Sequence, residues 1–180
     1  APARMAELAR RYRAQGFQVF KVKVGKVLDD DARALRAVQA AVPDARFRLD
    51  ANGGFSVLEA LELLRVARAA ALQLECFEQP CARHDLEGMA RVAREGGVPV
   101  IADESVRDDA DLSRVLEQRA AHGVNLKLAK SGGLLNALAL GERARLHGLS
   151  IMCGGMVETR LGISANASSK NSFFDIAGKI

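Results

Sequence analysis

Charged side chains recur at an even spacing in this sequence, each at the end of a short run of β-forming residues. Lys23, Asp50, Glu78, Asp103 and Lys127 follow one another at intervals of 24 to 28 residues. That interval matches one strand plus one helix, so the five residues occupy equivalent positions on successive strands. If such strands close into a barrel, their carboxyl ends converge at one mouth, where active sites form.

The three carboxylates in this series suggest a metal site. Asp50, Glu78 and Asp103 would repel one another in one pocket unless a cation neutralised them. Oxygen ligands favour Mg²⁺, with Mn²⁺ as an alternative. Any single carboxylate after a strand is more often a helix cap, but three in step with two lysine motifs favour the metal. Zinc is disfavoured because the three histidines lie away from the strand ends: His84, His122 and His147.

The lysines suggest acid–base chemistry on either side of that metal. Lys21 and Lys23 alternate with apolar residues and therefore point to one side of their strand. Two ammonium groups this close should lower each other's pKa, which makes a neutral base available. Lys127 comes four strands later, across a barrel. A metal between opposed lysines could hold a carboxylate substrate and stabilise the enediolate, while one lysine removes the α-proton and the other returns it. The alternative is an exposed edge strand with charged ends.

Alternating strand and helix patterns would position these residues. The sequence predicts strands over 17–24, 45–50, 72–77, 98–102, 123–128 and 149–153. It predicts helices over 3–15, 29–41, 56–70, 85–95, 108–121 and 134–147, with a further helix over 160–169 and strand over 173–176. Ser56 and Glu59 form a capping-box pattern. This alternation predicts a single α/β domain over 1–180 with a parallel sheet, and the phosphate-binding glycine motifs of nucleotide folds are absent.

Composition excludes several other classes of protein. Hydrophobic residues make up 49% and charged residues 27% of the chain, enough to build a core. The sequence has no apolar run of about 18 residues and no visible leader, which argues against a membrane protein. The net charge of +4 is spread along helices, and the scarcity of aromatic residues argues against nucleic-acid binding. Three cysteines without metal spacing favour a reduced, cytoplasmic protein.

The motifs that contain these residues resemble the barrel domain of the enolase superfamily. Within it, they are most similar to the muconate-lactonizing subgroup and its dipeptide epimerases. The resemblance runs from about residue 1 to 165 and rests on FKVKVG (20–25), DANGGF (50–55), FEQP (77–80), IADES (101–105), NLKLAKSGG (125–133) and CGGMVETRLG (153–162).

The resemblance implies a TIM-type (β/α) barrel and a role for each strand-end residue. Lys23 and Lys127 correspond to the acid–base pair, and Lys21 to a residue that tunes Lys23 and contacts the substrate carboxylate. The Mg²⁺ ligands correspond to Asp50, Glu78 and Asp103. Two neighbours correspond to residues that orient the ligands and the lysine: Asn52 and Glu104.

Further along the chain, the resemblance implies contacts with the substrate. Residues Cys153 to Glu158 would line the mouth, with Cys153 itself a packing residue. Dipeptide epimerases carry an Asp-x-Asp pair that binds the substrate ammonium, but here Asp175 is followed by Ile176 and Ala177. The family's capping domain and first barrel strand have no counterpart, so we expect an incomplete barrel from a larger two-domain protein, and a homo-oligomer.

The expected activity is Mg²⁺-dependent epimerisation of dipeptides of the L-Ala-D/L-Glu type, by proton transfer between two lysines through a metal-stabilised enediolate. Alternatives within the superfamily are a muconate-type cycloisomerase, an o-succinylbenzoate synthase and an N-acylamino acid racemase. A different alternative is an inactive, truncated barrel fragment. A phosphate-binding barrel that uses Gly132 and Gly133 is disfavoured, because the carboxylates would repel phosphate.

Overall fold

The computed structural model describes residues 2–156 and residue 164, and within them strands and helices alternate throughout. The strands are β1 Val19–Lys23, β2 Arg46–Asp50, β3 Gln73–Glu78, β4 Val100–Ala102, β5 Gly123–Leu126 and β6 Ser150–Cys153. The helices are α1 Pro2–Ala14, α2 Leu28–Ala41, α3 Val57–Ala69, α4 Leu86–Glu95, α5 Asp109–Glu117 and α6 Leu134–Leu146. The predicted strand over 173–176 and most of the predicted helix over 160–169 lie outside the described residues.

All six strands pair in parallel, and their order in the sheet is their order in the chain. A doubly wound sheet reverses its strand order part-way, whereas a barrel adds each strand beside the previous one. The unbroken order therefore identifies a (β/α) barrel, as predicted, of which these strands form the larger part. No helix in the described part of the chain is long and apolar enough to cross a membrane.

Side chains alternate between the two faces of the sheet and build two separate clusters. Phe77 and Leu49 pack in the main core beneath the helices, together with Leu63 of α3. Cys76, the neighbour of Phe77, points the other way and packs with Ile101 and Met152. This second, smaller cluster lies on the face that a closed barrel turns inward, on the same side as the charged residues that share its alternation.

One predicted helix is shorter than the sequence indicates. The pattern predicts helix to residue 121, but α5 ends at Glu117. Arg119 has a φ of 50°, a left-handed conformation that ends a helix. Ala120 and Ala121 are buried beyond that turn, shortly before β5. Their apolar side chains continue the helical pattern of the sequence, although the helix itself has ended.

The predicted capping box at the start of α3 is present. Ser56 accepts a hydrogen bond from the backbone N–H of Glu59, and the Glu59 side chain accepts one from the backbone N–H of Ser56. We expect Ser56→Ala to lower the free energy of unfolding by about 1 kcal/mol, since one amide loses its partner. Thermal or urea denaturation measures the change. The control is Leu58→Ala in the same turn, where the side chain is 69% exposed and little should change.

Candidate active site

The three predicted carboxylates come together at one edge of the sheet. Asp50 and Glu78 are the last residues of β2 and β3 and are paired in register. Asp103 directly follows β4. All three residues are fully buried, with 0% exposure. Three charges in such surroundings require positive partners close by.

Two lysines of β1 supply positive charge at one end of this carboxylate row. The Nζ of Lys21 lies 2.7 Å from Asp50 Oδ2 and 2.8 Å from Glu78 Oε2, so one ammonium group bridges two carboxylates. The Nζ of Lys23 lies 2.6 Å from the same Asp50 oxygen and donates to Asn52 Oδ1 at 2.7 Å. Both lysines therefore face the same side of β1, as predicted.

The direction of the Lys21 pKa differs from the sequence-based expectation. Burial alone would lower the pKa of Lys21, but the Glu78 and Asp50 carboxylates outweigh it and raise that pKa above its usual value. The expectation of mutual depression by Lys21 and Lys23 was wrong for Lys21, because it weighed the like charge and left out the two carboxylates. Burial and the nearby Asp50 raise the pKa of Glu78 despite Lys21.

Two other lysines supply positive charge at the opposite end of the row. Lys127 Nζ lies 2.5 Å from Asp103 Oδ2, and Lys130 Nζ lies 2.9 Å from Asp103 Oδ1. Lys130 also donates to the backbone oxygens of Asp103 and Asn125, at 2.6 and 2.7 Å. Burial alone would raise the pKa of Asp103, but Lys130 and Lys127 bring it below its usual value.

A polar bridge connects the two strands on either side of Glu78. Asn52, in a left-handed conformation with a φ of 46°, accepts from Lys23 and donates through Nδ2 to Glu104 Oε1 at 2.9 Å. Its backbone N–H donates to Asp50 Oδ1 at 3.1 Å. Asn52 thus lies where it can orient Lys23 and Asp50, and Glu104 contacts Asn52 in turn; the roles that the resemblance implies for both stay predictions.

Sequence reasoning missed two residues of this cluster. Lys130, to which the sequence assigned no chemical role, has a side chain that is only 6% exposed and holds both the side chain and the backbone of Asp103. Asn125 is buried on β5 and donates to Glu78 Oε1 at 2.9 Å. Asn125 lies two residues before Lys127, so the alternation of side chains along a strand is a signal that could have placed it on the same face.

The remaining predicted contacts fall at β6 and beyond. Cys153 ends β6, is half-buried, and packs against the core, in agreement with a packing role. Glu158 and Asp175 lie outside the described residues, so their predicted contacts with substrate stay predictions.

Close packing of the backbone brings β1 and β2 together at the site. Gly25 lies two residues after Lys23 and has a φ of +98°, and a methyl group there would overlap the Ala51 carbonyl next to Asp50. Gly16 has a similar φ of +94° but open space around it. We expect Gly25→Ala to lower the free energy of unfolding by about 3 kcal/mol and Gly16→Ala by about 1 kcal/mol. The difference, measured by urea denaturation, isolates the close approach; equal losses would contradict it.

The donor set fits a hard divalent cation. Three buried carboxylates end consecutive strands, and the groups that contact them are ammonium and amide donors, with no thiolate or imidazole among those contacts. Among the residues that the structure describes, no three or more His, Cys, Asp or Glu side chains lie close enough together to hold a metal ion. The Lys21 ammonium instead lies between Asp50 and Glu78.

Comparison with known families agrees with this arrangement. A family model described as enolase C-terminal domain-like matches residues 4–174. The chain belongs to this family. Membership in the enolase C-terminal domain-like family accounts for the barrel order of the strands.

Among enolase C-terminal domain-like proteins, the chain is similar to several epimerases. An L-Ala-D/L-amino acid epimerase from Populus trichocarpa is 45% identical over 165 residues, which cover 89% of this chain and 39% of that protein. The structure of a substrate-liganded L-Ala-D/L-Glu epimerase from Bacillus subtilis has 38% identity and a TM-score of 0.88, with 92% of this chain and 47% of that chain covered.

A third relative has a structure with both Mg and a dipeptide bound. The structure of a dipeptide epimerase from Cytophaga hutchinsonii, in complex with Mg and the dipeptide D-Ala-L-Val, has 32% identity and a TM-score of 0.86. It is covered over 45% of its length by 92% of this chain. The chain thus spans less than half the length of these three relatives.

Proposed function

We propose that the complete protein is a Mg²⁺-dependent epimerase of dipeptides of the L-Ala-D/L-Glu type. The observation that carries this proposal is the placement of lysines at both ends of one buried carboxylate row. Lys23 contacts Asp50 on β2, and Lys127 contacts Asp103 after β4. The epimerases to which the chain is similar support the substrate class.

Asp50, Glu78 and Asp103 are the residues that would hold Mg²⁺. They offer buried, anionic oxygens, which this cation prefers over nitrogen and sulfur. Bound Mg²⁺ would supply positive charge beside the substrate carboxylate, which lowers the free energy needed to remove the α-proton. Lys21 contacts two of the three carboxylates and would have to move its ammonium group away from the space between them.

The two lysines then act on opposite faces of the substrate. The neutral Nζ of one accepts the α-proton while the Nζ of the other, as an ammonium group, donates a proton to the opposite face. After each turnover the lysine that was neutral carries the extra proton, and the lysine that was an ammonium group is neutral. The enzyme is then in the protonation state from which the reverse reaction begins. The Oδ1 of Asn52 accepts a hydrogen bond from the Lys23 Nζ and keeps that nitrogen directed at the site.

Exchange of the α-proton for deuterium tests this proposal directly. The complete protein is incubated in D₂O with Mg²⁺ and a pool of L,L-dipeptides, and mass spectrometry follows deuterium uptake. Exchange that EDTA stops would support metal-assisted α-proton chemistry, and the dipeptide that exchanges would name the substrate class. Retained exchange in EDTA would contradict the proposed metal.

Other members of the superfamily give different outcomes in the same experiment. A muconate-type cycloisomerase needs only one of the two lysines as acid or base, and it would leave dipeptides unchanged. An o-succinylbenzoate synthase would likewise leave them unchanged, whereas an N-acylamino acid racemase would exchange N-acylated amino acids, which are added to the pool for this purpose. The 180-residue chain is assayed alongside; if only a longer protein is active, the chain by itself is an inactive barrel fragment.

A further inference from the structure

Gln79 connects two of the carboxylate-bearing strand ends through its side chain. It directly follows Glu78 at the end of β3 and is fully buried. Its Oε1 accepts hydrogen bonds from the backbone N–H of Asp103 at 2.8 Å and of Ser105 at 3.2 Å. One side chain next to Glu78 thereby holds the backbone that carries Asp103.

The other end of the same amide is also fully engaged. Its Nε2 donates to Ser105 Oγ at 2.7 Å and to the Cys81 carbonyl at 2.9 Å. Ser105 Oγ in turn donates to the Arg83 carbonyl at 2.9 Å. A primary amide offers two donors and accepts two hydrogen bonds. All four are used here, so the Gln79 side chain is held in one orientation.

The Gln79 backbone adopts a conformation that is unfavourable for residues other than glycine. Its φ is 37°, in the left-handed region, although the residue is not glycine. Such a conformation persists where the surroundings determine it, and these sites are concentrated near functional centres. Here the Gln79 N–H donates to Ile101 and its carbonyl accepts from Gly53, at 2.8 Å each. The chain thus tolerates an unfavourable φ at a position where glycine would fit without strain.

We propose that Gln79 is a positioning residue that sets the distance between Glu78 and Asp103. This inference rests on the proposed function, since these two carboxylates are the proposed Mg²⁺ ligands. Glu78 ends β3 and Asp103 directly follows β4, and these adjacent strands share only two residue pairs, Phe77 with Val100 and Glu78 with Ile101. The backbone pairing between β3 and β4 ends before Asp103. Beyond that point, the Gln79 side-chain amide connects the end of β3 to the backbone of Asp103.

The position of the Asp103 backbone should affect Mg²⁺ binding, because Mg²⁺ requires a nearly ideal geometry of its ligands. Removal of a group that orients metal ligands commonly weakens metal binding 10- to 100-fold. We therefore expect the loss of the Gln79 amide to weaken Mg²⁺ binding by about 10-fold or more. A role in folding alone would lower stability and leave the affinity for Mg²⁺ unchanged.

Two substitutions separate the effect of losing the Gln79 side-chain amide from the effect of relieving the unfavourable backbone φ. Gln79→Leu keeps the side-chain bulk and the unfavourable φ, while Gln79→Gly removes both and suits the left-handed conformation. Titration calorimetry of the complete protein with Mg²⁺ alone gives the affinity, and hydrogen exchange reports the protection of the Asp103 and Ser105 amides. Both variants should lose that protection and bind Mg²⁺ about 10-fold or more weakly.

The matched control is Leu112→Ala, which removes a fully buried apolar side chain from α5 and lowers the melting temperature without deleting a hydrogen bond. Its Mg²⁺ affinity should stay within about twofold of the unaltered protein. Unchanged affinity in either folded Gln79 variant would overturn this inference alone. Failure of the unaltered protein to bind Mg²⁺ would overturn the proposed metal site, and the inference with it.

Discussion

Replacement of Lys127 by alanine is expected to stop epimerisation of dipeptides in both directions. Loss of a positioned acid or base lowers the rate by roughly 10²- to 10⁴-fold. In the proposed mechanism either epimer needs both lysines, because one removes the proton and the other returns it to the opposite face. The fold should survive, since Asp103 keeps the Lys130 ammonium group 2.9 Å from its Oδ1.

Proton exchange without epimerisation gives this variant a specific signature. With Lys23 intact, the epimer whose α-proton faces Lys23 should still exchange in D₂O, whereas the other epimer should not. Lys26→Ala is the control, because Lys26 is an exposed lysine close to the end of β1 and lies outside the proposed pair. Full epimerase activity in the Lys127→Ala protein would show that the two-base mechanism is wrong.

The barrel could be predicted because the sequence patterns that indicate its strands and helices are local and recur at a regular interval. Each strand reads as a short run of β-branched and apolar residues, and each helix as a longer amphipathic segment. The even spacing from Lys23 to Lys127 then aligned the strand ends without knowledge of any contact. The end of α5 was missed because the buried Ala120 and Ala121 continue a helical pattern past the left-handed Arg119.

The partners of each charged group could not be predicted in the same way. Lys21 and Glu78 are 57 residues apart, and their ion pair depends on the register of three strands. Side-chain alternation predicts that Lys21 and Lys23 share a face, but it does not reveal that Lys21 bridges two carboxylates. Gln79 has no charge and no spacing signal, so its hydrogen bonds across strands become visible only in three dimensions.

Removal of the central carboxylate should separate metal binding from stability. Glu78→Gln keeps the shape of the side chain but withdraws its charge from a site with 0% exposure. We expect Mg²⁺ binding to be lost and kcat to fall by at least about 10³-fold, which corresponds to about 4 kcal/mol of lost transition-state stabilisation. The melting temperature of the metal-free protein should stay unchanged or rise.

The expected stability follows from the sign of the Glu78 pKa shift. Burial raises this pKa above its usual value, so the folded state holds the Glu78 proton more tightly than the unfolded state does. Its ionisation therefore works against folding as the pH rises past the unfolded pKa, and a neutral amide avoids that loss. Lys21 keeps Asp50 as a partner at 2.7 Å.

The control for this substitution is Glu87→Gln in the first turn of α4, which removes the same charge from an exposed side chain that is not a proposed ligand. It should leave Mg²⁺ affinity and kcat unchanged. The decisive measurements are calorimetry with Mg²⁺ and thermal unfolding in EDTA for both variants. If Glu78→Gln destabilised the metal-free protein strongly, the Lys21–Glu78 ion pair would be a main contributor to folding. Unchanged or higher stability, together with lost Mg²⁺ binding, would instead support the proposed metal as the reason for a buried carboxylate at this position.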